Sequence, residues 1–183
     1  MTLSDEQARL LLAAARDAVT HTAMGTPPTI APEEAEPWAQ QRRATFVTLR
    51  GPSAALRGCI GELRAQRTLI ESVRGCAISA STQDPRFPPI AAQEVAGLRI
   101  GISILTPAKT IQPEAIEVGR HGLIIERGSC RGVLLPEVAT DHGLDAPAFL
   151  AATCQKAGLP TDAWREVGTT LHAFETLKLR EPR

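Results

Sequence analysis

Apolar positions recur along this chain in two rhythms, and the rhythm changes several times. Leu10, Leu11, Ala14, Ala15 and Ala18 follow helical spacing. They predict a helix that opens at the capping box Ser4-Asp5-Glu6-Gln7 and fades by Gly25. Residues 26–37 hold four prolines and three glutamates, which predicts a mobile surface connection with at most one helical turn near Glu33. Ala44–Leu49 reads as a strand, Gly51-Pro52-Ser53 turns the chain, and Leu56–Leu63 returns antiparallel. Leu69, Val73, Cys76, Ala77 and Ala80 then mark one helix face, which assigns Cys76 to the core. Leu98, Ile100, Ile102 and Ile104 give the clearest period-two run, and the opposite face is small at Gly101 and Ser103.

The second part of the chain repeats this order. Pro113–Ile116 predicts a helical turn. Leu123–Glu126 and Arg131–Leu135 form a hairpin around Gly128-Ser129, followed by a helix over Pro147–Ala157 that Gly158 stops. Thr170–Arg180 is the closing strand, with Glu175 in the register of Leu171, Ala173, Leu177 and Leu179. A bulge that turns Glu175 outward is the expected solution, ahead of a buried carboxylate. Arg57-Gly58 recurs as Arg131-Gly132 about 75 residues later, a weak duplication of a hairpin-plus-helix unit. The expected fold is α+β: a mostly antiparallel sheet shared by the two units, helices on its flanks, and a cleft between two lobes. The lobes are roughly 1–110 and 111–183 of a single 1–183 domain.

Candidate chemistry concentrates in Leu56-Arg57-Gly58-Cys59-Ile60-Gly61-Glu62-Leu63. Regular alternation puts Leu56 and Ile60 in the core and Arg57, Cys59 and Gly61 on the other face. A guanidinium near a thiol favours the thiolate, so Cys59 is a candidate nucleophile. Gly58 and Gly61 leave backbone N–H groups uncovered for an anion or carbonyl. A buried, inert cysteine among close-packed glycines is the competing reading. Asp84-Pro85-Arg86-Phe87-Pro88-Pro89 cannot be helical. There Arg86 is a candidate anion ligand that Asp84 orients, unless the two charges merely tie a rigid turn together.

Composition narrows the function classes. Lysine plus arginine and aspartate plus glutamate both number 20, so the formal net charge is zero. Only four phenylalanines and two tryptophans are present, so stacking platforms are scarce and nucleic acid is a poor fit. No apolar run reaches the roughly 20 residues of a bilayer span, and Met1–Gln7 is too polar and acidic for a signal peptide. Cysteines 59, 76, 130 and 154 contain no C-x-x-C pair, and histidines 21, 121, 142 and 172 contain no metal-binding spacing. Neither a metal nor a cofactor is implied, and a reduced, cytoplasmic protein is the expectation.

Several collinear stretches resemble the AMMECR-type domain, the family of AmmeMemoRadiSam system protein A. They are Phe46-Val47-Thr48-Leu49 with Leu56–Gly61, Asp84–Pro89, Ile102–Pro107, Val118-Gly119-Arg120-His121-Gly122-Leu123, and Gly132–Ala139. Phe149-Leu150, Thr153–Leu159 and Trp164 complete the resemblance, which covers nearly the whole chain. The chain departs from the pattern at Glu62, Glu137 and Leu144. The resemblance implies a place in a modification pathway alongside Memo-like and radical S-adenosylmethionine proteins, and implies no particular reaction. Arg120-His121-Gly122 recurs in the family pattern, and His121 is a candidate base toward Cys59 if the two lobes face each other, although a lone histidine beside glycine is more often structural. Two functions stay open. One is catalysis through Cys59, with Arg57 and Arg86 holding an anion and His121 moving protons. The other is a non-catalytic module for a small anion or a partner protein.

Overall fold

In the computed structural model, which describes residues 2–27 and 36–182, the chain forms two compact units. The first runs to Ile104 and takes the chain back from Leu177; the second is Leu105–Thr176. The expected turn near Glu33 lies outside the described residues.

The first unit holds α1 (Asp5–Met24), β1 (Thr45–Arg50), β2 (Leu56–Gly61), α2 (Leu69–Thr82), β3 (Arg99–Leu105) and β8 (Thr176–Arg180). Its strands lie in the order β2-β1-β3-β8. The capping box forms as the sequence predicts: Ser4 Oγ accepts from the Gln7 N–H, and the Gln7 side chain accepts from the Ser4 N–H. Gly25 ends α1 in the left-handed region, at φ 69°. Thr68 and Glu71 form a second capping box at α2. Leu11, Ala14 and Ala18 of α1 and Leu69, Val73 and Ala77 of α2 pack on Val47, Leu49, Ile100, Ile102 and Ile104. Each such leucine or isoleucine contributes about 1.5–3 kcal/mol by leaving water. Cys76 is 1% exposed in this core, and burial raises its thiol pKa.

The second unit holds β4 (Lys109–Thr110), β5 (Gly122–Arg127), β6 (Cys130–Leu134), α3 (Pro136–Asp141), α4 (Ala146–Lys156) and β7 (Thr170–Phe174). Its sheet order is β4-β7-β5-β6. Arg127 pairs with Cys130 across the two-residue turn Gly128-Ser129, with Gly128 at φ 58°. Leu123, Ile125, Phe149, Leu150, Cys154 and Leu171 form the core.

Three expectations change. The two hairpin-plus-helix units do not share one sheet; each has its own four strands. The closing strand is two strands, because the chain leaves one sheet for the other at Glu175. There the Glu175 N–H donates to Thr106 Oγ1 at 2.8 Å and the Thr106 N–H to the Glu175 carbonyl at 2.9 Å. This break, not a bulge, turns the Glu175 carboxylate outward to Arg120 at 2.9 Å. Leu56 is half-exposed and outside the core cluster, for a reason that lies in the strand itself.

The duplication has a packing counterpart. A Cβ on Gly58 would overlap the Ala80 carbonyl at the end of α2, and one on Gly132 would overlap the Thr153 carbonyl of α4. Likewise a Cβ on Gly61 would enter the Phe46 ring, and one on Gly122 the Phe174 ring. In each unit one glycine admits a helix and another admits an aromatic ring.

Candidate functional site

β2 is an edge strand, and its outer rim would expose unpaired backbone groups. The Asp84–Pro89 loop covers that rim with side chains. Asp84 Oδ2 accepts from the Cys59 N–H at 2.8 Å, and Arg86 Nη2 donates toward the Cys59 carbonyl at 3.4 Å. The same Asp84 carboxylate accepts from Arg86 Nε at 2.9 Å, Arg86 Nη2 at 2.7 Å and the Arg86 N–H at 3.1 Å. Asp84 and Arg86 together replace the neighbouring strand that β2 lacks. Asp84 is 4% exposed. Its hydrogen bonds from the Arg86 side chain, reinforced by the Cys59 N–H, hold its carboxyl well below the usual carboxylate range. Arg86 is pushed up in turn, first by that hydrogen bond. Its side chain stays 54% exposed, with Cζ 5.4 Å from the Phe87 ring centre. Ile90 carries the end of this loop into the core.

Arg57 has a different task from the one alternation suggests. Leu49 pairs with Gly58 and Arg50 with Leu56, so Arg57 is the extra residue of a β-bulge. The bulge aims its guanidinium at the Pro88 carbonyl (2.7 Å), the Pro89 carbonyl (3.2 Å) and both oxygens of Glu94 (2.8 and 3.0 Å). The side chain is 18% exposed, and its fork is occupied by protein acceptors. Arg57 thus rivets β2 to the loop and to the short turn Ala92–Gly97. Glu94 was not singled out by the sequence; its only signal is its place three residues after Ala91, whose N–H it also accepts at 2.9 Å.

Cys59 keeps its predicted face. Its own N–H and carbonyl point to the rim, so its cross-strand pair with Thr48 is of the kind that brings side chains close. Its thiol lies 3.3 Å from Thr48 Oγ1 and is half-exposed. Gly58 and Gly61 are the glycines whose side-chain space the Ala80 carbonyl and the Phe46 ring take up.

His121 belongs to the second unit. The Glu117 N–H donates to its Nδ1 at 3.0 Å, and its own N–H donates to the Glu117 carbonyl at 3.0 Å. A neutral ring that accepts at Nδ1 carries its proton on Nε2, so the outer nitrogen is a donor and not a base. Among the described residues no group of histidine, cysteine and acidic side chains could hold a metal ion, and no helix is long and apolar enough to cross a membrane.

These cysteine environments predict an order of alkylation. Iodoacetamide near neutral pH should modify the half-exposed Cys59 and Cys130 well before Cys76 and Cys154, whose thiols are buried and raised in pKa by burial. Peptide mapping by mass spectrometry checks it; equal labelling of all four would contradict the packing described.

Two four-stranded antiparallel sheets with flanking helices, and an Arg-Gly-Cys edge strand clamped by an Asp-Pro-Arg loop, define a two-unit α+β domain. The chain belongs to the AMMECR1 family, whose model matches residues 12–179. A protein of Methanothermobacter thermautotrophicus is 41% identical over 180 residues, covering 94% of this chain and 93% of the relative. Protein MJ0810 of Methanocaldococcus jannaschii is 44% identical over 143 residues, 74% of this chain and 71% of its own. The crystal structure of the uncharacterized protein PH0010 from Pyrococcus horikoshii matches with a TM-score of 0.83 at 35% identity, over 99% of both chains.

Proposed function

We propose that this chain is a binding component of a modification pathway that also employs Memo-like and radical S-adenosylmethionine proteins, and that it works through the sheet face carrying Cys59. The resemblance supplies the pathway. The binding reading rests on one observation: the groups around Cys59 are already bonded to one another. Asp84 is held ionised by Arg86 and the Cys59 N–H, and a carboxylate so stabilised is a weak base. Arg57 is tied to Glu94, and Thr48 offers the thiol only a hydroxyl. In this reading Cys59 fills and shapes a surface, the exposed outer edge of Arg86 meets the partner or a small anion, and His121 stays structural.

The test mixes purified protein with purified Memo-like and radical S-adenosylmethionine proteins encoded in the same genome, and measures association by analytical ultracentrifugation. A complex with at least one of them is expected, and Cys59→Ala should bind within about twofold of the native chain, since it removes no charged or clamped group. No complex with either protein would refute the pathway reading. Loss of binding in Cys59→Ala, with its fold intact by circular dichroism, would refute the non-catalytic role.

A further inference from the structure

The face that bears Cys59 also bears arginines that the clamp does not use. Thr48 pairs with Cys59 on one side and with Gly101 on the other, so these three residues form one row across β2, β1 and β3. Two residues along the ladder Arg50 pairs directly with Arg99. Their neighbours Leu49 and Ile100 are buried in the helix-covered core, so both arginines leave the opposite face, beside Thr48 and Gly101. Arg180 joins them from β8: its Cγ lies 3.9 Å from the place a Cβ on Gly101 would occupy. Three arginines from three adjacent strands therefore share the face that carries Gly101 and the short side chain of Thr48. The floor there is low, since a Cβ on Gly101 would meet only ordinary contacts, the Leu179 carbonyl at 3.7 Å and the Arg180 stem at 3.9 Å.

Like charges directly opposite each other on neighbouring strands are destabilising. Several arginines elsewhere are paired with carboxylates: Arg16 with Glu181, Arg67 with Glu62, Arg127 with Glu166. Among the described residues no carboxylate pairs with Arg50, Arg99 or Arg180, and the one bond they make runs from Arg50 Nη1 to the Ala54 carbonyl at 2.9 Å. That bond leaves most of the Arg50 fork available. In a chain with as many acidic as basic residues, this is a local excess of positive charge that the fold does not neutralise.

We propose that Arg50, Arg99 and Arg180 form an oxyanion site for the phosphate or diphosphate group of a small molecule. A planar fork binds phosphate oxygens in pairs, and a multiply charged group relieves the repulsion among all three arginines at once. A single carboxylate brings too little charge for that. The low floor lets the group approach the sheet, with the Thr48 and Ser103 hydroxyls on the same face as further donors. This site stands apart from the pathway reading, because phosphate binds there whether or not a partner protein does.

Isothermal titration calorimetry at low ionic strength, with inorganic pyrophosphate as the probe, tests it on the full chain. Saturable one-to-one binding is expected. Arg99→Gln and Arg180→Gln should each weaken it about tenfold or more, while the control Arg64→Gln, an exposed arginine elsewhere, stays within about twofold. Adenosine diphosphate in place of pyrophosphate separates the sources: tighter binding assigns the group to a larger ligand, weaker binding to the free anion. In anion-free buffer Arg99→Gln should melt no lower than the native chain, because it relieves repulsion. Absence of saturable pyrophosphate binding, an equal loss in Arg64→Gln, or a lower melting temperature for Arg99→Gln without anion would each overturn the proposal.

Discussion

Asp84→Ala should destabilise the protein by about 3 kcal/mol, measured by urea unfolding followed by circular dichroism. The substitution strips the Cys59 N–H of its acceptor on the sheet edge and releases Arg86 from both oxygens that hold it. It also removes a nearly buried carboxylate that accepts four hydrogen bonds, so the Cys59 and Arg86 N–H groups lose their acceptor while the half-exposed Arg86 side chain turns to water. Asp84→Asn is the milder variant, since its side-chain oxygen can still accept from the Cys59 N–H while the ion pair is lost. The same contacts set a pH dependence. The folded pKa of Asp84 lies below the unfolded value of about 3.9, so its contribution is fully present above the ordinary carboxylate range. It is lost as pH falls through the folded pKa. The stability gap between the native chain and Asp84→Asn should therefore be constant near neutrality and shrink as pH drops below about 4. A gap that persists undiminished into strong acid would exclude ionised Asp84 as its origin.

Gly58→Ala should be comparably severe, about 3 kcal/mol, because the added methyl meets backbone and not a side chain. The Ala80 carbonyl belongs to the last turns of α2, which cannot shift without loosening Val73, Cys76 and Ala77 in the core. Gly61→Ala provides the contrast. Its methyl would meet the Phe46 ring, so Gly61→Ala should be partly rescued by Phe46→Leu, whereas no side-chain substitution rescues Gly58→Ala. Gly132→Ala repeats the backbone overlap in the second unit, against the Thr153 carbonyl and the Ala157 N–H group. Thermal melts of the four variants decide between these outcomes. A Gly58→Ala protein that melts with the native one would mean that α2 does not rest on β2 as described.

Much of this architecture was legible in the residues. Ser4 and Gln7 announce the first helix, Gly128-Ser129 the second hairpin, and the alternation from Leu98 to Ile104 a strand with one buried face. These signals are local: each needs only the few residues that carry it. Arg57 defeated the same logic. Period-two reading assumes a regular strand, and one inserted residue turned that guanidinium away from the Cys59 face toward Glu94, 37 residues on. The break at Glu175 was hidden for a related reason, since alternation continues through it although the two halves join different sheets. α3 escaped because its six residues are too short to show a period, despite Pro136 at its start. The glycines of β2 are compatible in sequence with either an opening for a ligand or close packing, and the neighbouring Ala80 carbonyl and Phe46 ring decide for packing. The arginine cluster was invisible for the plainest reason: Arg50, Arg99 and Arg180 are far apart in sequence and meet only through strand order.

Amide hydrogen exchange at Cys59, read by NMR, addresses the clamp most directly. An N–H on the outer rim of an edge strand ordinarily exchanges quickly. Here it is bonded to Asp84, so it should be protected to nearly the same degree as the ladder amides of β1 in the native protein, and lose that protection in Asp84→Ala while the β3 amides keep theirs. A Cys59 amide that already exchanges in the native protein as fast as an open strand edge would contradict the account.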